Sequence, residues 1–86
     1  MLKLPKEIII DLAKRVRLVR KKKGISQQKM AEKSGVSLGS IKRFESTGKI
    51  SIESLLQIAM VLGHLSDFEK LFDSSKLPDT LDDLFK

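Results

Sequence analysis

The twenty residues from Ser26 to Glu45 constrain the fold more than any other part of the chain, and they read SQQKMAEKSGVSLGSIKRFE. Ser26 and Ser37 are good helix N-caps, because a serine hydroxyl can accept a backbone N–H two or three residues later. Gly35 lies between them, where one helix must end and the chain must reverse, a place that often needs a positive φ. The pattern predicts two short helices, residues 27–34 and 38–46, joined by a tight turn at residues 34–36.

The apolar residues of this stretch divide each helix into a buried and an exposed face. The residues expected to face the core are Met30, Ala31, Val36, Ile41 and Phe44. The residues left to face outward on the second helix are Leu38, Gly39, Ser40, Lys42 and Arg43. Two helices that cross steeply through a short Gly-containing turn form a helix-turn-helix, in which the second helix enters the DNA major groove.

The spacing of thirteen residues in and around this stretch is a specific signal. They are Gly24, Ile25, Ser26, Gln27, Gln28, Met30, Ala31, Glu32, Gly35, Val36, Ser37, Ile41 and Glu45. Together they resemble the Xre/Cro and phage-repressor class of DNA-binding domains, from about Leu12 to Leu62. The chain departs from that class after Glu45, where the predicted loop of residues 46–49 is one residue longer than usual. The resemblance implies an all-α, compact five-helix domain of lambda-repressor type.

Helical spacing of apolar residues predicts three further helices outside this stretch. They are residues 5–22, with Pro at the first position, residues 52–62, capped by Ser51, and residues 67–72, capped by Ser66. No strand-like alternation is present, which agrees with an all-α fold. We expect one DNA-binding domain, residues 1–73, and an acidic, apolar C-terminal tail, residues 74–86. The tail is either disordered or a segment that folds onto a partner.

Charge is distributed unevenly between the two parts of the chain. Residues 1–50 hold 14 Lys or Arg against 4 Asp or Glu, whereas residues 51–86 hold 3 against 7. A basic half indicates a surface for a polyanion, and an acidic end indicates a second surface of different character. Nucleic acid is therefore the expected partner of the basic part.

The chain lacks the residues that catalysis or metal binding would need. It has one His, His64, no Cys, and no Gly-rich phosphate loop. We therefore expect no enzyme activity, no cofactor and no metal. No stretch approaches the roughly 20 apolar residues that span a bilayer, and the N-terminus does not read as a signal peptide. We expect a cytoplasmic protein that does not bind membranes.

Three residues are predicted to contact the DNA backbone. Gln27 opens a helix whose free N–H groups and dipole suit a phosphate, and the resemblance implies the same use of this Gln. The alternative is that Gln27 forms a second local cap. Ser37 is either a plain N-cap or a cap that also touches phosphate. Lys49, just beyond the second helix, is predicted to contact phosphate.

The outward face of the second helix is predicted to read bases. Leu38 either touches a thymine methyl or belongs to a dimer interface or the core, and Gly39 lets the helix approach DNA closely. Ser40 shares this face. Arg43 either grips guanine O6 and N7 or, with Lys42, holds phosphates only.

The resemblance also implies an ion pair between Arg20 and Glu45. Without a partner, a half-buried carboxylate beside phosphate would be costly and repelled. The alternative is two surface charges with no contact.

Two functions fit these observations. The first is a repressor that binds a palindromic operator as a dimer, with Phe68, Leu71 and Phe72 at a two-fold interface unless they are ordinary core. The second is the antitoxin of a toxin–antitoxin pair. The layout from the fourth helix to the tail resembles small antitoxins of the HipB kind, which implies a HipA-type kinase toxin as partner.

Overall fold

A computed structural model describes residues 3–76, and every regular element in that range is helical. The elements are α1 (Pro5–Lys22), α2 (Gln27–Ser34), α3 (Leu38–Thr47), α4 (Ile52–Leu62), α5 (Leu65–Glu69) and a 3-10 turn (Ser74–Lys76). The all-α prediction is confirmed. The bounds of the first, second and fourth helices agree with the sequence prediction. The predicted final turn after residue 76 lies outside the described residues.

Serine caps set the starts of α2, α3 and α4. The hydroxyls of Ser26, Ser37 and Ser51 accept the backbone N–H three residues later, at 3.0–3.1 Å. Each cap satisfies one of the N–H groups that a helix start leaves without an internal partner. These starts follow from local sequence, which explains why they could be predicted.

The core lies between α1, α2, α3 and α4. One cluster of buried side chains joins Met30, Val36, Ile41, Ile58 and Leu62. A second cluster joins Ala13, Phe44 and Leu55. Val16 and Ile50 pack against both clusters. Full burial of a large apolar side chain stabilises a fold by about 1.5–3 kcal/mol, so these contacts hold α3 firmly against the other helices.

The predicted loop at residues 46–49 is partly wrong, because α3 continues through Thr47. The Thr47 hydroxyl donates to the Arg43 carbonyl at 2.7 Å and accepts the Lys49 N–H at 3.1 Å. Gly48 then ends the helix with φ +83°. A Cβ at Gly48 would overlap the Ile9 side chain, so the start of α1 lies directly against the end of α3.

The fifth helix is present, but its predicted bounds, residues 67–72, and its predicted cap, Ser66, are wrong. The helix is α5, it begins at Leu65, and His64 stands at its N-cap position. His64 Nδ1 lies 2.9 Å from Asp67 Oδ2, so the two side chains bridge the first turn. The helix ends at Glu69, and Phe72 has a positive φ of 56°, which is incompatible with helix continuation.

Candidate nucleic-acid interface

α3 presents two distinct faces. Ile41 and Phe44 are 1% exposed and hold the helix to the core. The outward residues named from the sequence are Leu38, Gly39, Ser40, Lys42 and Arg43, of which Leu38 is half-buried and the others are exposed. The helix therefore offers a polar and cationic outer face on a rigidly packed support, which suits insertion into a DNA groove.

Gly39 is not required by the packing of the protein. A Cβ built at Gly39 would meet no atom within 4 Å, and its backbone is ordinary helix. Because Gly39 has no side chain, the backbone of α3 can approach another molecule more closely at this position than at its neighbours.

Ser37 and Ser40 are linked at the start of α3. Ser37 Oγ accepts the Ser40 N–H at 3.1 Å and also donates to Ser40 Oγ at 2.8 Å. The Ser37 hydroxyl is therefore used by the cap. The Ser40 hydroxyl keeps its own proton for an outside acceptor.

The structure brings Arg20 and Glu45 together in a bidentate ion pair. Arg20 Nε donates to Glu45 Oε2 at 2.7 Å and Arg20 Nη2 donates to Oε1 at 2.9 Å. Arg20 Nη1 donates to the Ile25 carbonyl at 2.7 Å. Both side chains are at most 7% exposed. This pair joins the end of α3 to α1 and thereby fixes how α3 projects from the domain.

The environment of Glu45 keeps it ionised. Burial by itself raises the pKa of Glu45, but hydrogen bonds from Arg20 and Gln27 and the charges of Arg20 and Arg17 outweigh burial. The pKa of Glu45 therefore lies below its ordinary value.

Gln27 is part of the same network. Its Nε2 donates to Glu45 Oε1 at 3.0 Å, so one amide N–H is committed within the protein. A side-chain amide has two N–H donors, and the second stays available for an outside acceptor. Glu45 thus fixes the orientation of an amide at the N-terminus of α2, where backbone N–H groups also favour anions.

Arg17 is a member of this site that we did not predict. Its Nε lies 3.7 Å from Glu45 Oε1, and its side chain is 54% exposed. With Gln27, Lys42, Glu45 and Ser46 it lines a cavity of about 230 Å³ between α1, α2 and α3. The signal in the sequence is its position three residues before Arg20, which places both on one helical face.

The remaining predicted contact, Lys49, is exposed beyond the end of α3. The site as a whole therefore carries more positive than negative charge. Arg17 and Arg20 contact the carboxylate of Glu45, and Lys42 lines the same cavity. Arg43 is exposed on α3, and Lys49 is exposed just beyond it.

A family model described as helix-turn-helix, HTH_3, matches residues 16–69, which is more than half of the chain. The chain belongs to the HTH_3 helix-turn-helix family. The match contains α2, α3 and every predicted DNA contact. No curated protein and no solved structure matches the chain.

Membership of the HTH_3 family shows that the chain is a DNA-binding transcription regulator of the Xre type. The family is generally not one of enzymes. Among the described residues, no helix is both long and apolar enough to cross a membrane.

Proposed function

We propose that this regulator is a sequence-specific repressor that binds a palindromic operator as a dimer, with α3 in the major groove. The observation that carries the proposal is the outward face of α3, from Leu38 to Arg43. Its buried side is held by Ile41 and Phe44, which are 1% exposed, while Lys42 and Arg43 are exposed. A repressor of this kind acts by occupying DNA, here at its own promoter.

We assign the proposed contacts to two groups. Arg43 is assigned to base reading, where a bidentate grip on guanine is worth about 1–3 kcal/mol of discrimination. Gln27, Lys42 and Lys49 are assigned to phosphates, and Arg17 joins them because it lines the same cavity as Gln27 and Lys42. Backbone contacts of this type set the register of α3 and make binding depend on salt.

A dimer is supported by the apolar residues that follow α5. Phe68 is half-buried and packs against Leu55 and its neighbours, so it belongs to the core. Leu71 is 60% exposed and Phe72 is fully exposed. The exposure of Phe72, which does not line the groove between α1, α4 and α5, favours burial against a second copy. A two-fold dimer places its two α3 helices about one DNA turn, roughly 34 Å, apart.

Selection of bound sequences from random duplexes by the purified protein tests this proposal. We expect an inverted repeat with half-site centres about one turn, or a multiple of it, apart. Enrichment of a single half-site without symmetry would contradict the dimer. No enrichment above the starting pool would contradict sequence-specific binding.

The selected site then separates base reading from backbone contact. Arg43→Ala should reduce the preference for the selected duplex over a scrambled one. Lys49→Ala, at an assigned phosphate contact that is exposed beyond the end of α3, should weaken binding to both equally and flatten the salt slope by about one unit. If Arg43→Ala left both affinities unchanged, the assignment of α3 as the reading helix would be wrong.

An antitoxin is the second candidate function. An antitoxin would bind its toxin through exposed apolar residues such as Leu71 and Phe72, and the segment that follows them is acidic and apolar. A toxin reading frame beside the gene, and a stable complex between the two purified products, would favour this function. Absence of such a neighbour would favour the stand-alone repressor.

A further inference from the structure

A long apolar groove lies between α1, α4 and α5. Its volume is about 530 Å³, and Ile8, Leu12 and Val16 of α1 face Leu55 and Ile58 of α4 across it. Leu71, just after α5, lines one end. Ile8 is 50% exposed and Leu71 is 60% exposed, so the groove is open to water along part of its rim.

We infer that this groove is the docking site for residues 77–86 of the same chain, bound as a short amphipathic helix. The inference goes beyond DNA binding and does not depend on it. The tail reads LPDTLDDLFK. Docking would bury the apolar side chains of the tail against apolar surface of the groove that the described residues leave exposed.

The apolar residues of the tail have the spacing of a single helical stripe. Leu77, Leu81, Leu84 and Phe85 occupy positions i, i+4, i+7 and i+8. Helices that bind in apolar grooves present their anchors with this spacing. The α1 side of the groove has a matching stripe, since Ile8, Leu12 and Val19 stand at i, i+4 and i+11.

The two stripes also agree in length. At about 1.5 Å per residue, the stripe from Ile8 to Val19 is roughly 16 Å long, and a helical stripe from Leu77 to Phe85 is about 12 Å long. Leu71 already lines the groove, and Leu77 is six residues later. Six residues span at most about 20 Å when extended, and less where they include the 3-10 turn Ser74–Lys76. The tail can therefore return to the groove of its own chain.

Charge favours the same pairing. The tail has three Asp residues against one Lys. α1 has seven Lys and Arg residues against two acidic residues, and its Arg15 lines the groove. The other polar groups at the groove are His64 and Asp67, and His64 Nδ1 lies 2.9 Å from Asp67 Oδ2. An acidic helix that lies along α1 would be attracted to it.

Part of the groove lining lies outside the residues matched to the family. Ile8, Leu12 and Arg15 precede the matched residues 16–69, and Leu71 and the tail follow them. These two flanking segments, one apolar and basic and the other apolar and acidic, have the complementary character that mutual docking requires.

A single tryptophan tests the inference in the full chain. The protein has no Trp and no Tyr, so Phe85→Trp introduces the only such fluorophore. We expect its emission at a short wavelength, as for a buried indole, and resistant to quenching by iodide. Emission at the wavelength of free tryptophan in water would overturn the inference.

Two further variants in the Phe85→Trp background show where the indole lies. Ile8→Asp, at the groove, should shift the emission to longer wavelength and increase quenching. Leu18→Asp is the matched control, because Leu18 is also an aliphatic residue of α1, is 54% exposed, and does not line the groove. Far-ultraviolet circular dichroism checks that both variants stay folded. Equal responses to the two variants would contradict docking in this groove.

Dilution identifies which copy supplies the tail. For a tail bound within its own chain, the emission should not change with protein concentration across the range in which the chain becomes monomeric. A shift to longer wavelength on dilution would show that a second copy supplies the tail, and would overturn the same-chain assignment.

Discussion

At the scale of single residues, Glu45 is the most connected polar side chain of the site. It accepts hydrogen bonds from Arg20 and Gln27, and Arg17 lies 3.7 Å away. Because these partners come from α1 and α2, one carboxylate at the end of α3 ties three helices together. The same contact that stabilises the fold also orients groups assigned to DNA.

Loss of Arg20 should therefore affect stability strongly. Arg20→Ala leaves Glu45 buried without its main cation and the Ile25 carbonyl without its donor, so we expect the free energy of unfolding to fall by about 3–5 kcal/mol. Urea denaturation measures this change. Arg17→Ala is the control, since this exposed arginine should contribute at most about 1 kcal/mol. Similar losses in the two variants would contradict the structural role of the Arg20–Glu45 pair.

The lowered pKa of Glu45 makes this stabilisation depend on pH. A group whose pKa is lower in the folded state contributes stability above its unfolded pKa and loses it as pH falls through the folded value. With an ordinary value of 4.5, the difference in stability between the parent and Glu45→Gln should be constant near neutral pH and shrink below about pH 4.5. Denaturant titrations at several pH values measure it, and a difference independent of pH would contradict ionised Glu45 as the source.

At the scale of elements, α3 is a helix whose two sides have separate requirements. Its buried side is specified by contact with the core, and its outer side is free of packing constraints. The glycines at its two ends illustrate the difference, because Gly39 has open space around it whereas Gly48 lies against Ile9.

Gly39→Ala should change stability and DNA binding in opposite directions. Alanine in an ordinary helical conformation is favoured over glycine, so the free energy of unfolding should rise by up to about 0.5–1 kcal/mol. DNA affinity should fall, because a Cβ would separate α3 from the groove. Thermal unfolding and fluorescence anisotropy measure the two effects. Unchanged affinity in a stabilised variant would show that Gly39 does not lie at the DNA.

Gly48→Ala should destabilise the protein more than Gly35→Ala does. Both glycines have positive φ, +83° and +76°, so both substitutions incur left-handed strain of about 1–2 kcal/mol. Only at Gly48 would the new methyl overlap another residue, Ile9, which adds about 1–3 kcal/mol of overpacking. Equal losses in urea denaturation would contradict the close contact between α1 and the end of α3.

At the scale of the whole molecule, the cationic groups of the candidate interface and the exposed residues after α5 belong to different elements. The cationic groups come from α1, α3 and Lys49, two residues after α3, whereas Leu71 and Phe72 follow α5. In the proposed dimer, the first set would face DNA while Phe72 contacts a second copy.

Phe72→Ser should weaken a dimer without affecting the fold, because the Phe72 side chain is fully exposed and packs against no part of the core that the described residues form. We expect the monomer–dimer equilibrium in sedimentation to shift towards monomer, and affinity for a palindrome to fall towards that for a half-site. Met60→Ser is the control, since Met60 is also an exposed apolar residue, at 56%, but lies on α4. A stronger effect of Met60→Ser would place the interface elsewhere.

The sequence by itself determined the helices from residue 27 to residue 62, apart from the last residue of α3. Their starts depend on a serine and an N–H three residues away, and the ends of α2 and α4 depend on a glycine, so each signal is local. Apolar spacing identified the core face of α3 for the same reason. Only the tertiary structure decided which groups meet across helices. The use of the Gln27 amide by Glu45, the place of Arg17 in the site, and the contact of Gly48 with Ile9 join residues 18 to 39 positions apart. The open groove beside α1 likewise depends on how the helices pack, because no short stretch of sequence specifies a distance between two elements.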